Sequence, residues 1–229
     1  MNTRHLLLVA ASLLLAGCGQ VTDHQSSVPQ EAVTPTTEVP VGAKTFSEVL
    51  REPGWTQTSE GFWERETENG HESIYVGVEG AKQALKQREA IQAKMLANAP
   101  AEQKTEMLER FKAQNLSLQN VINSPEQKTI STQSIFQCTF SQSVQRLTAQ
   151  PGIKATAWIN CPESGYSPNA GAQVQSNQGS NYGWPNRQPT SATASTSIPG
   201  ASGCSGYAFS EATASSGAHV GDQKSGSGC

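Results

Sequence analysis

GIKATAWINC, Gly152 to Cys161, places an apolar or small residue at every second position: Ile153, Ala155, Ala157, Ile159 and Cys161. A period of two marks an extended strand with one buried face. Upstream, Phe136, Cys138 and Phe140 alternate in the same way, and Pro151-Gly152 supplies a turn signal between the two runs. The spacing predicts a hairpin with a cysteine on the apolar face of each strand. Ala-Thr-Ala recurs at 155–157, 192–194 and 212–214. The separations are unequal, which excludes a solenoid repeat. Small residues alternating with Thr or Ser suit closely packed strands. With AGAQVQ (170–175) they predict five or more short strands, hence an all-β sandwich or small barrel over 128–229.

The preceding segment, 45–127, reads as a small α+β piece. Thr45-Phe46-Ser47-Glu48 fits a capping box, opening a short helix that ends before Pro53. Extended runs at 62–66 and 73–78 flank Asn69-Gly70, a strong hairpin signal. Ala84, Leu85, Ile91, Met95 and Leu96 then follow helical spacing over 81–97. After Asn98-Ala99-Pro100, a second amphipathic helix over 101–117 carries Met107, Leu108 and Phe111 on one face. The short break predicts an antiparallel helical hairpin whose apolar stripe covers its own domain. The fold class expected overall is α+β: short helix, β-hairpin and helical hairpin, followed by the β domain.

Charge changes with the architecture. Residues 19–127 hold 16 acidic and 10 basic side chains, whereas 128–229 hold 3 acidic and 5 basic ones. Neither part has the basic stripe of a nucleic-acid binder, so no nucleic acid is expected as partner.

The first residues specify an address. Arg4 and His5 precede LLLVAASLLL (6–15), a charge-free run that is too short to cross a bilayer and fits a signal peptide over 1–17. Its end, Leu15-Ala16-Gly17-Cys18, resembles the lipobox of bacterial lipoproteins. The resemblance implies cleavage before Cys18, diacylglyceryl and palmitate-type acylation of that residue, and anchoring to a membrane by at least two chains. Gly19 replaces the Asp that retains such proteins at the inner membrane, so the expected place is the outer membrane. Residues 18–44, rich in Pro, Thr, Ser, Gln and Val, lack apolar periodicity and read as a disordered tether.

With Cys18 given to lipid, four cysteines remain: Cys138, Cys161, Cys204 and Cys229. An exported chain oxidises its thiols, and four cysteines allow three pairings. The two facing strands select Cys138–Cys161, which leaves Cys204 with Cys229. Each bridge spans about 25 residues and contributes roughly 3 kcal/mol in the chain-entropy model. The second bridge is expected to pin a glycine- and serine-rich tail, 217–229, that reads as a solvated loop containing His219 and Asp222.

No pattern in the chain specifies catalysis, a metal or a cofactor. There is no G-x-S-x-G elbow, no H-E-x-x-H, no C-x-x-C pair and no phosphate-binding loop. A Ser-His-Asp site would have to draw on His71 or His219 with Asp222 or a Glu, and a Glu163–Glu211 carboxylate pair is a further hydrolytic arrangement open to the β region. The stretch SNQGSNYGWPNRQP (176–189) instead suggests a ligand surface, because Tyr182, Trp184 and Arg187 lie among amides. Tyr166, in SGYSP, offers a second aromatic loop. Rings that cover apolar faces beside orienting amides suit a glycan or an extended peptide. The expected role is a non-catalytic binding, adhesion or assembly component of the cell envelope, with an envelope protein or glycan as partner. The alternative is an exported effector, toxin or hydrolase carried as a lipoprotein.

Overall fold

The short helix begins where the capping box placed it. In the computed structural model the Thr45 hydroxyl accepts from the Glu48 amide at 3.2 Å, and the Glu48 carboxylate accepts from the Thr45 amide at 2.7 Å. This closes α1 (Phe46–Leu50) behind the two-residue strand β1 (Lys44–Thr45). The structure describes residues 39–124, 137–162 and 165–229. The signal segment, Cys18, nearly all of the tether, Phe136 and Glu163 lie outside the described residues.

Next come β2 (Thr56–Ser59), β3 (Phe62–Thr67) and β4 (Gly70–Val76). Thr67 pairs with Gly70, so the hairpin tip is Glu68-Asn69, one residue earlier than Asn69-Gly70 suggested. Helix α2 (Gly77–Asn98) follows directly, then one 3-10 turn (Ala101–Gln103) and α3 (Lys104–Asn123), which runs six residues beyond the end expected at 117 and carries its buried stripe on through Leu118 and Val121. Eight strands complete the chain: β5 (Thr139–Arg146), β6 (Gly152–Asn160), β7 (Tyr166–Ser176), β8 (Gly179–Gly183), β9 (Asn186–Arg187), β10 (Ser191–Pro199), β11 (Ser205–Ala214) and β12 (His219–Ser227).

All pairings are antiparallel, in two sheets. One has the order β1-β5-β6-β10-β9, the other β2-β3-β4-β12-β11-β7-β8. The change of composition near residue 127 is therefore not a structural boundary: β4 pairs with β12, and the described residues fall in one compact unit. The inner faces of the two sheets share a core of small and branched residues, including Ile74, Ala155, Ala157, Ala172, Ala194 and Ala208. Few long side chains intervene, which is what the recurring Ala-Thr-Ala alternation specifies. Helices α2 and α3 cover the opposite face of the larger sheet, where Phe62, Tyr75, Ala84 and Leu118 form a second apolar cluster.

Both disulfides join strands already in register. Thr139 faces Asn160, so Cys138 and Cys161 are the next opposed pair and are bridged. The Cys204–Cys229 bridge ties the start of β11 to the end of β12, where the Gly228 amide also donates to the Cys204 carbonyl at 3.0 Å.

The tail expected to be a solvated loop is instead β12, buried between β4 and β11. Its glycines make room for aromatic rings. Gly221 lies opposite Tyr75, and a Cβ there would sit 2.3 Å from the ring. Gly171 plays the same part under Phe209. Gly221→Ala is expected to lower stability by about 1–3 kcal/mol through overpacking, read as a lower urea midpoint. An unchanged midpoint would mean that the ring does not occupy this position.

Candidate functional site

Strand β11 alternates Tyr207, Phe209, Glu211 and Thr213 toward the helices with Ala208 and Ala212 toward the other sheet. The outward set meets Arg88, which α2 carries down onto the sheet. Arg88 and Glu211 are both fully buried and form an ion pair at 3.1 Å. Arg88 Nε donates to the Tyr207 hydroxyl at 2.9 Å, and Nη1 to the Gln114 carbonyl of α3 at 3.0 Å. Its guanidinium also lies 3.9 Å from the Phe209 ring centre. Tyr75 donates to Glu211 Oε2 at 3.0 Å, and Asn169 Nδ2 donates to Oε1 at 2.7 Å. Burial pushes the Glu211 carboxyl upward, but Arg88, His219 and the Asn169 hydrogen bond outweigh it and hold the group below its ordinary range. Burial pushes both tyrosine hydroxyls up, so they remain protonated donors.

Beside this pair, His219 Nδ1 and the Thr213 hydroxyl lie 2.8 Å apart, while Nε2 has no partner among the described residues. Burial pushes His219 down to about 4; nearby Glu211 opposes the shift and Arg88 adds to it. The imidazole is therefore neutral near pH 7. Asp222 lies on the inner side of β12. Burial, with Glu72 close by, pushes its carboxyl well above the usual range.

Through Asn169 the buried network reaches a cleft. Asn169 Oδ1 accepts from Arg187 Nη2 at 2.7 Å, and both residues line this cleft of about 570 Å³ between α3, β7 of the larger sheet and β9 at the edge of the smaller one. Leu116, Ser117 and Asn120 of α3 form one wall; Tyr166 and Asn169 of β7, with Arg187 of β9, form the other. Ligand sites typically fall in this size range, about 300–1,000 Å³. Arg187 is the one charged side chain on the cleft wall among the described residues.

The four residues read from the sequence as a ligand surface separate into two places. Tyr166 and Arg187 reach the cleft. Tyr182 is buried against Phe111, and Trp184, 47% exposed, lies beside it. The Arg110 guanidinium is 4.8 Å from the Tyr182 ring centre and 5.2 Å from that of Trp184. The Ser176–Pro189 stretch is thus largely strand, and its rings engage a cation from α3. Glu211 is saturated with hydrogen bonds, so it does not present a free carboxylate to pair with Glu163, which lies outside the described residues. Sequence reasoning missed Arg88 and Asn169. Their signals were an arginine on the apolar side of a helix and an asparagine on the strand face opposite to Ala170, Ala172 and Val174. Comparison with protein-family models, curated proteins and solved structures finds no match to this chain.

Two outcomes test this arrangement. Arg88→Met leaves the Glu211 charge buried without a cation and is expected to cost about 3–5 kcal/mol in chemical denaturation. The double variant Arg88→Met/Glu211→Met should recover part of that loss; additive losses would show that the pair does not interact. The second concerns pH. Unfolded His219 takes up a proton below about 6.5, whereas the native group does so only near 4, so the unfolded state binds more protons in between. Stability should fall as pH drops through that window, by up to about 3 kcal/mol from this residue. Asp222, with its raised native pKa, contributes with the opposite sign. The measurement is therefore the difference in slope between the wild type and His219→Gln, and identical slopes would contradict the assignment.

Proposed function

We propose that the chain is a lipid-anchored lipoprotein of the bacterial cell envelope, acylated at Cys18 and held at the outer membrane. Its folded part acts as a non-catalytic binding module for an envelope component. In this reading the two sheets form a sandwich, and α2 and α3 dock on it as a helical hairpin. The lipobox Leu15-Ala16-Gly17-Cys18 supports the anchor, and two disulfides fit an oxidising compartment. Among the described residues no helix is long and apolar enough to cross a membrane.

The observation that carries the binding role is Arg187, oriented by a buried asparagine at the edge of a preformed cleft. The hydrolase alternative draws no comparable support. Glu211 is ionised, buried and fully hydrogen-bonded, the reverse of what a proton-donating carboxyl requires.

Palmitate labelling in a bacterial host is expected to mark the wild type and not Cys18→Ala. The purified lipoprotein in mild detergent should co-sediment saturably with isolated cell envelopes, and Arg187→Ala should weaken this at least about tenfold with an unchanged melting temperature. Turnover of envelope glycan or peptide by the wild type would overturn the reading in favour of a hydrolase. Co-sedimentation independent of Arg187 would remove the cleft from it.

A further inference from the structure

The orientation of one amide points to the chemistry of the ligand. Glu211 is kept ionised by Arg88, so both of its oxygens accept hydrogen bonds and neither donates one. Asn169, only 7% exposed, must therefore turn Nδ2 toward Glu211 and Oδ1 away from it, toward the cleft. The outward oxygen takes a single N–H of Arg187. Arg187 meets no carboxylate among the described residues; it is an exposed side chain that lines the cleft, with one of its N–H groups engaged by Asn169. A cation is thus held at the cleft by a neutral acceptor, and no carboxylate compensates its charge among the described residues.

A guanidinium held in this way presents parallel N–H donors that match a carboxylate in two places at once. The rest of the cleft is uncharged among the described residues. Ser117, Asn120 and Thr213 offer hydrogen bonds, and Leu116, Val121 and Pro168 offer aliphatic surface. Tyr166 is the one ring on these walls, because Tyr182 and Trp184 pack with Arg110 elsewhere. A sugar-binding cleft generally relies on rings against the sugar faces, whereas alternating hydroxyl, amide and aliphatic contacts suit a short peptide in extended form.

We propose that the cleft captures the free C-terminal carboxylate of a short uncharged peptide on Arg187, with Asn169 and Glu211 as positioning residues that aim the guanidinium. This rests on the binding role of the same cleft and adds the class of ligand.

The test uses the intact lipoprotein in detergent and two probes, N-acetyl-trialanine as the free acid and as its C-terminal amide, titrated by calorimetry or chemical-shift perturbation. The free acid is expected to bind at least about tenfold more tightly than the amide. Arg187→Gln should abolish that preference. Asn169→Ala, with folding checked by thermal melting, should reduce the acid-to-amide ratio while leaving amide binding unchanged, which a merely structural role would not do. Equal binding of the two probes by the wild type, or a preference that survives Arg187→Gln, would overturn the proposal. Arg187-dependent binding to envelopes with no free-acid preference would reject the carboxylate and leave the cleft as the binding site. Loss of both would reject the two readings together.

Discussion

A buried arginine and a buried glutamate, joined from residues 123 apart in the sequence, fix how the helices sit on the sheet. Taking two charges out of water costs several kcal/mol per ion, and the mutual attraction offsets this only where the remaining hydrogen-bonding capacity is also used. Here it is used. Arg88 donates to Tyr207, to Tyr75, to Glu211 and to a carbonyl of α3; Glu211 accepts from Arg88, Tyr75 and Asn169. These directional contacts specify one register between helix and sheet. Within the helical layer, Gln92 bonds Gln114 and Asn115 across the two helices and fixes α2 against α3.

That register in turn makes the cleft. One wall belongs to α3 and the other to β7 and β9, so the gap exists only while the helical layer is seated. The glycines of the large sheet serve the same end. Gly221 and Gly171 admit the Tyr75 and Phe209 rings flat against their neighbouring strands, and those rings then support Glu211 and Arg88 from below. Structural and candidate binding roles meet at Asn169, which carries the orientation of the buried pair outward to Arg187.

Local features of the fold were legible in the sequence. Thr45 and Glu48 are three residues apart and close their own cap. The period-two runs around Cys138 and Cys161 identify a bridge between adjacent strands. Ala-Thr-Ala alternation gives thin, closely packed sheets. What escaped was everything that depends on distant partners. A glycine-rich strand is indistinguishable from a loop until Tyr75, far upstream, supplies the ring that fills its spaces. Arg88 shares the helix face of Ala81, Ala84 and Met95, but that position gains its meaning only from Glu211 opposite it. The ligand surface was half legible: Arg187 and Tyr166 reach the cleft, while Tyr182 and Trp184 answer to Arg110, whose position depends on how α3 packs.

Native-state hydrogen exchange is the most direct check that the helical layer and the large sheet form one cooperative body around the Arg88–Glu211 pair. The account predicts that the slowest amides of α2 and α3 open with the same free energy as those of β11 and β12, and follow it together as urea is added. A helical layer that opens at much lower free energy, independently of β11 and β12, would contradict it. The cleft would then be an occasional arrangement of two separate parts.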